Sequence, residues 1–169
     1  MEKKGRTINC TPHDIKVMKQ PNYWQDPKVA EVDFIFKSYN GQDIRCTTSY
    51  SDTEPVVVDM GGADGINKHV VVTNAPMFDS LSNIPKFTDG NGKEAPLNES
   101  DTLIVSMPVG NLVASNPELL PCIVMGPNTG PNKTIQLNGK DFIMGAVRYP
   151  DDHPQKGQIM GCYDFVIYK

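Results

Sequence analysis

The sequence predicts an α+β fold, with a mixed or largely antiparallel β-sheet and one or two short helices. Fourteen Gly and 14 Pro among 169 residues divide the chain into short elements, which argues against a helical bundle. Most apolar runs are short, β-branched or alternating, as strands are. At this length the chain is most simply a single domain over residues 1–169 with a sizeable core.

The longest apolar stretch, residues 102–131, has the pattern of a strand, a short helix and a second strand. Residues 102–107 are β-branched and apolar, as in a buried strand. Pro108 ends that strand and suits the first position of a helix over 109–114. A second apolar run at 122–125 leads into a rigid Gly/Pro loop at 126–131. Loops at the ends of buried strands are common places for binding sites.

Two Asn-Gly pairs predict β-hairpins, because both central residues of a type I′ turn need a positive φ. Alternating residues 31–37 and 43–48 lie on either side of Asn40-Gly41, and residues 133–137 and 141–148 on either side of Asn138-Gly139. Further strands are predicted by short apolar or alternating runs at 6–10, 14–19, 55–58, 69–73 and 161–168.

Residues 74–100 form the least regular section and are rich in Asn, Pro, Gly and Ser. We expect an irregular excursion or a flap there, with a helical turn over 77–81.

The charge balance argues against a nucleic-acid polymer as partner. Sixteen basic and 20 acidic residues give a net charge of −4, and no basic stripe is visible. A small anionic ligand held by backbone N–H groups fits this composition. No apolar run approaches the ~20 residues that span a membrane, and the first residues lack the apolar region of a signal peptide. We therefore predict a cytoplasmic protein with no membrane partner.

The four cysteines are widely spaced and form neither a CxxC motif nor a Cys/His pair, which argues against a zinc site. We predict buried free thiols in a reducing compartment rather than two disulfides. No metal and no cofactor is predicted. The cluster Asp151-Asp152-His153 is interpreted as a solvated turn rather than a metal site.

Four short motifs occur in a recognisable order: TPH at 11–13, LIVSMPV at 103–109 with VA at 113–114, PNTGP at 127–131, and GAVRY at 145–149. The set resembles a family of small, mostly uncharacterised proteins of bacteria and their phages, whose pattern is TPH, VVS…VA, PDTGP and GVRxL. This sequence departs from that pattern at Asn128, where Asp is usual, and at Ala146 and Tyr149. The absent Asp weakens any mechanism that needs a carboxylate there. The resemblance implies a small intracellular, often phage-borne accessory protein, in the host cytoplasm if phage-encoded, and implies no particular reaction.

His13 follows Thr-Pro at the end of a predicted strand, where a fixed backbone could aim its ring at a pocket. Its ring could be a general base, a ligand-binding donor or a structural hydrogen-bonding group. Arg148 could balance an anionic ligand if it faces the same end of the sheet; otherwise it is an ordinary surface residue.

The loop at 126–131 could expose N–H groups to an anion, with Asn128 and Thr129 adding polar contacts, or could be a rigid turn. It lacks the Lys-Ser/Thr of a P-loop, which excludes nucleotide hydrolysis by that route. Ser106 has a nucleophile's position but lacks the GxSxG context, and a hydroxyl that caps the helix explains it more simply.

Three functions are consistent with these features. The first is an accessory protein that binds a small, nucleotide-like anionic ligand through His13, Asn128, Thr129 and Arg148. The second is a structural or interaction protein, such as a virion component or a homo-oligomeric scaffold. The third is a small hydrolase or lyase with His13 as general base.

Overall fold

The computed structural model describes residues 5–20, 30–49, 54–73 and 77–169. Within these ranges the chain is mostly strand with one short α-helix, which confirms the α+β fold class. The elements are β1 Thr7–Asn9, β2 Ile15–Met18, β3 Val32–Phe36, β4 Arg45–Ser49, β5 Val56–Gly61, β6 Asn67–Val72, β7 Met77–Ser82, β8 Thr102–Ile104, α1 Met107–Ser115, β9 Ile123–Pro127, β10 Lys133–Leu137, β11 Lys140–Met144, β12 Ala146–Arg148, β13 Ile159–Cys162 and β14 Phe165–Ile167.

The first sheet has the strand order β1-β8-β9-β14, in which β1, β8 and β9 are parallel and β14 is antiparallel to β9. The central unit β8–α1–β9 confirms the predicted strand, helix and strand, and Pro108 lies in the first turn of the helix. Residues 103–105 are fully buried, as expected for a continuous apolar run in a parallel strand covered on both faces. Val109 and Val113 of α1 join the same core.

The second sheet has the order β12-β13-β2-β3, with β13 and β2 parallel and the outer pairs antiparallel. Ile15 and Val17 are buried on β2, which confirms the strand predicted over 14–19. A small apolar cluster of Ile15, Ile104 and Cys162 joins this sheet to the first one.

The hairpin predicted around Asn40-Gly41 is wrong, although its turn is correct. Asn40 and Gly41 have φ values of 52° and 66°, and the Gln42 N–H donates to the Tyr39 carbonyl oxygen at 3.0 Å. However, β3 pairs with β2, and β4 pairs with β7. The reason is that β1 engages the connecting backbone: the Tyr39 N–H donates to the Asn9 carbonyl and the Ile44 N–H to the Cys10 carbonyl. The segment between β3 and β4 therefore passes the end of β1, and the two strands belong to different sheets.

The second predicted hairpin is confirmed as β10–β11, with Leu137 opposite Lys140 and positive φ at Asn138 and Gly139. The strand predicted over 141–148 is broken at Gly145, whose φ of 93° directs β12 into the second sheet. The last predicted strand, 161–168, is likewise divided between β13 and β14, which lie in different sheets.

The helical turn predicted over 77–81 is wrong, because those residues belong to β7. Residues 74–76 lie outside the described residues. The section from 83 to 100 has an isolated bridge between Thr88 and Glu94, around a turn in which Asp89 accepts the N–H groups of Asn91 and Lys93. Strands β5 and β6 form a separate two-stranded hairpin.

Candidate functional site

A cleft of about 710 Å³ lies where the carboxyl ends of β1, β8 and β9 meet the second sheet. The segments that follow these three parallel strands contribute His13, Ser106 and Thr129 to its lining. The second sheet contributes residues of β2 and β13, and the loop after β12 adds Tyr149. Ligands commonly bind at the carboxyl ends of parallel strands, because the loops there converge on one crevice.

The TPH segment is held by Asn9, which is 2% exposed. The Asn9 Nδ2 group donates to the carbonyl oxygens of His13 at 2.8 Å and Phe36 at 2.9 Å. Its Oδ1 accepts the Thr11 backbone N–H at 3.0 Å and lies 2.7 Å from the Thr11 hydroxyl. These bonds fix the backbone at His13, whose own side chain is exposed at the cleft.

Ser106 occupies the N-cap position of α1, as predicted, but its side chain makes no capping hydrogen bond. The simpler explanation of this residue is therefore not supported. Ser106 is half-buried in the cleft wall, beside the start of the helix.

Asn128 is occupied by structural bonds rather than facing the cleft. Its Nδ2 donates to an Asp164 carboxylate oxygen at 3.1 Å, and its Oδ1 accepts the Gly130 N–H at 3.0 Å. The Asn128 backbone N–H donates to the Asp164 carbonyl oxygen. Two N–H groups of the loop, those of Asn128 and Gly130, therefore already have hydrogen-bond partners in the protein, and its two prolines have no N–H group. The loop fits a rigid turn better than an anion nest, and its residues Pro127 and Thr129, on either side of Asn128, line the cleft.

Arg148 also lies outside the lining. Its guanidinium donates to the Gly157 carbonyl oxygen at 2.7 Å and thereby supports the loop between β12 and β13. Within that loop the rings of Tyr149 and His153 stack, with centroids 4.3 Å apart and an interplanar angle of 15°. Tyr149 and the nearby Gln155 line the cleft, so Arg148 bonds to the loop that carries two lining residues and does not line the cleft itself.

The lining of the cleft includes one basic and one acidic side chain. Lys16 of β2 lines it, and the acidic residue of the lining, Asp14, is engaged elsewhere. The Asp14 carboxylate accepts the Ser38 N–H at 2.8 Å and lies 3.3 Å from Lys37 Nζ. These two contacts, the Ser38 hydrogen bond first, lower the pKa of Asp14. A carboxylate already paired in this way repels an anion less than a free one.

All four cysteines are free thiols in the structure; Cys10, Cys122 and Cys162 are buried and Cys46 is half-buried. Cys162 lines the cleft, and burial raises the pKa of its thiol to about 11, so it is a neutral wall group and not a thiolate nucleophile. Over the described ranges, no three His, Cys, Asp or Glu side chains are arranged to hold a metal ion. None of the helices there is long and apolar enough to cross a membrane.

Of the four ligand-binding residues predicted from the sequence, the structure brings His13 and Thr129 together in one cleft and places Asn128 and Arg148 beside its supporting loops. Sequence reasoning missed Lys16 and Tyr149 as lining residues. Tyr149 belonged to the GAVRY motif, whereas Lys16 carried no signal beyond its polar position in an alternating strand.

Comparison with known proteins leaves the site to be interpreted on its own geometry. No family model matches the chain, and no match was found among the curated proteins or the solved structures.

Proposed function

We propose that this chain is an accessory protein, phage- or bacterium-encoded, that binds a small anionic molecule of nucleotide size in the strand-end cleft. The observation that carries the proposal is the cleft itself. Its volume of about 710 Å³ lies within the range of ~300–1,000 Å³ that is usual for small-molecule sites.

The lining combines apolar walls with a few polar groups. Met107 and Ile159 supply apolar surface, while His13, Ser106 and Thr129 supply donors and acceptors at the strand ends. This composition is typical of sites in which apolar contact provides affinity and a few polar groups fix the orientation. A ligand with a flat, weakly polar body and one charged end fits such walls, and Tyr149, whose ring stacks on His153, adds an aromatic residue to the lining.

Two features favour a negative charge at one end of the ligand. Lys16 supplies a cation, with Asp14 already paired to Lys37 and Ser38. The start of α1 adds a positive end of a helix dipole, whose first turn has N–H groups without helical carbonyl partners. The Ser106 hydroxyl does not cap these groups. Lys16 and the start of α1 therefore support a negatively charged ligand, while the cleft itself is the main observation behind the proposal.

We expect adenosine monophosphate to raise the melting temperature of the protein more than adenosine does. Near-saturating ligand adds about 2–3 kcal/mol of stability, which corresponds to about 5–10 °C for a chain of this size. Lys16→Gln should weaken binding of the nucleotide about tenfold, because one charge-assisted hydrogen bond is lost, and should leave binding of adenosine unchanged. Calorimetric titration of both compounds measures this difference.

Lys140→Gln is the matched control, because Lys140 is exposed on β11 and lies outside the cleft lining. It should bind as the wild type does. Equal losses in Lys16→Gln and Lys140→Gln would show that the nucleotide binds elsewhere. Native mass spectrometry of the purified protein extends the search to other ligands, since a mass that is lost on denaturation identifies what the cleft holds. The proposal is contradicted if the protein retains no bound mass and if nucleotide, nucleoside and inorganic phosphate all leave its melting temperature unchanged.

The second candidate is a structural or homo-oligomeric protein, and one observation favours it: the apolar hairpin β5–β6 is largely exposed. Catalysis with His13 as general base stays a prediction from the sequence. A His13→Ala protein that folds and still binds nucleotide would separate loss of turnover from loss of binding.

A further inference from the structure

The hairpin β5–β6 is a well-formed element with apolar side chains on both faces. Its register runs from Val56 opposite Val72 to Gly61 opposite Asn67. The connecting turn is closed by hydrogen bonds from the Gly62 N–H to the Ile66 carbonyl and from the Gly65 N–H to the Gly62 carbonyl. The exposed apolar surface therefore belongs to a defined structure and not to an irregular loop.

The two faces of the hairpin are exposed to a similar degree. Val57 and Val71, which lie directly opposite each other, are 66% and 67% exposed on one face. Val56 and Met60 are 55% and 45% exposed on the other face. Water contact at this many β-branched and apolar side chains is unusual in one element, and contiguous apolar patches mark interaction sites.

Neither edge of the hairpin is paired within the part of the chain that the structure describes. In the described residues, β5 and β6 form hydrogen bonds to each other and to no other strand. Each strand therefore presents an outer row of backbone N–H and C=O groups, which is a template for another strand. A lone two-stranded hairpin is marginally stable in water, and added strands would stabilise it.

We propose that this hairpin is the interface of a homodimer, in which it pairs with the same hairpin of a second copy about a twofold axis. A twofold interface uses the same patch on both chains, and an antiparallel strand edge is complementary to itself. Val57 and Val71 lie directly opposite each other and are exposed on the same face, so a second copy placed beside this hairpin would extend one apolar surface with its own valines.

The distribution of charge favours a second copy over a charged partner. The half of the hairpin away from its turn, 55–58 and 70–73, has no charged residue. The charges lie toward the turn, where the Asp59 carboxylate contacts the His69 ring within the same hairpin. An interface over the valine half therefore buries no unpaired charge, whereas a basic or acidic partner would find nothing there to pair with.

Sedimentation velocity of the full chain tests this inference. The wild-type protein should sediment at twice the 18.6 kDa mass of one chain. The double variant Val57→Lys/Val71→Glu should sediment as a monomer, because it introduces two charges into the interface. The two positions are opposite each other, so the new side chains can pair within the hairpin and preserve its fold. Circular dichroism should show the fold of the wild type, since both valines are exposed in one chain.

Ile167→Lys is the matched control, because Ile167 is 70% exposed on β14 of the first sheet. It should remain a dimer. A monomeric wild type would overturn the inference and would indicate that the hairpin contacts a different protein or a lipid surface. So would a double variant that is still dimeric, or dissociation by Ile167→Lys alone. None of these outcomes depends on ligand binding in the cleft.

Discussion

Replacement of Asp101 with Asn is expected to lower the free energy of unfolding by about 2–3 kcal/mol, because it removes the charge from a buried carboxylate that accepts several hydrogen bonds. Asp101 is 1% exposed and lies immediately before β8. Its Oδ2 accepts an Arg6 guanidinium N–H at 2.6 Å, and its Oδ1 accepts the Arg6 backbone N–H at 2.9 Å. The Asn98 N–H donates to the same carboxylate at 3.0 Å.

These bonds hold the amino ends of three parallel strands together. The Thr102 N–H donates to the Arg6 carbonyl between β1 and β8, and the Ile123 N–H donates to the Asp101 carbonyl between β8 and β9. A substitution at Asp101 therefore disturbs the register of the strands whose opposite ends form the cleft.

Asp14→Asn is the control for the Asp101 substitution. Asp14 also pairs with a cation, Lys37, but its ion pair is largely exposed. Exposed ion pairs of this kind contribute little to stability. Urea denaturation of the two variants should give clearly different losses. Similar losses would mean that burial of the Asp101 carboxylate contributes little.

The same carboxylate predicts how stability depends on pH. The Arg6 hydrogen bond lowers the pKa of Asp101 from its ordinary 3.8 to about 2. The folded state therefore favours the ionised form, and this contribution is present above pH 4 and is lost as the pH falls toward 2. Its size is about 2 kcal/mol. Between pH 4 and pH 2 the difference in unfolding free energy between wild type and Asp101→Asn should narrow; a constant difference would contradict the prediction.

Features set by neighbouring residues were predictable, and features set by distant ones were not. The unit β8–α1–β9 follows from a continuous apolar run and a proline at the helix start, and the hairpin β10–β11 follows from Asn138-Gly139. Asn40-Gly41 makes the same local turn, yet the strands beside it separate. The backbone around that turn bonds to Asn9 and Cys10, about 30 positions earlier, and no local pattern reports such a partner.

The candidate site was also predictable from the sequence only where neighbouring residues determine it. Strand ends and rigid loops located the region of the cleft, because parallel strands bring their carboxyl ends together. The direction of each side chain depended on contacts far along the chain. Asn128 is held by Asp164, 36 positions away, and Thr129 next to it is left at the cleft. The loop motif alone could not distinguish these two neighbours.

Gly145→Ala is expected to lower the free energy of unfolding by about 3 kcal/mol or more. Gly145 has a φ of 93°, which strains any residue with a Cβ atom, and this alone costs about 1–2 kcal/mol. A Cβ atom at this position would also lie 2.7 Å from the Gly130 carbonyl oxygen and closer still to that of Pro131. These are backbone atoms that cannot rotate away, and the Ala146 N–H already bonds to Gly130.

Gly139→Ala separates backbone strain from this steric clash. Gly139 has a φ of 74°, but a Cβ atom there would meet nothing within 4 Å. It should lose about 1 kcal/mol in urea denaturation, from backbone strain alone. If Gly145→Ala loses no more than Gly139→Ala, the contact with the loop at 130–131 is not tight. A larger loss would show that Gly145 fits closely against the loop that holds Thr129 at the cleft, so that its small size, and not only its backbone freedom, is required there.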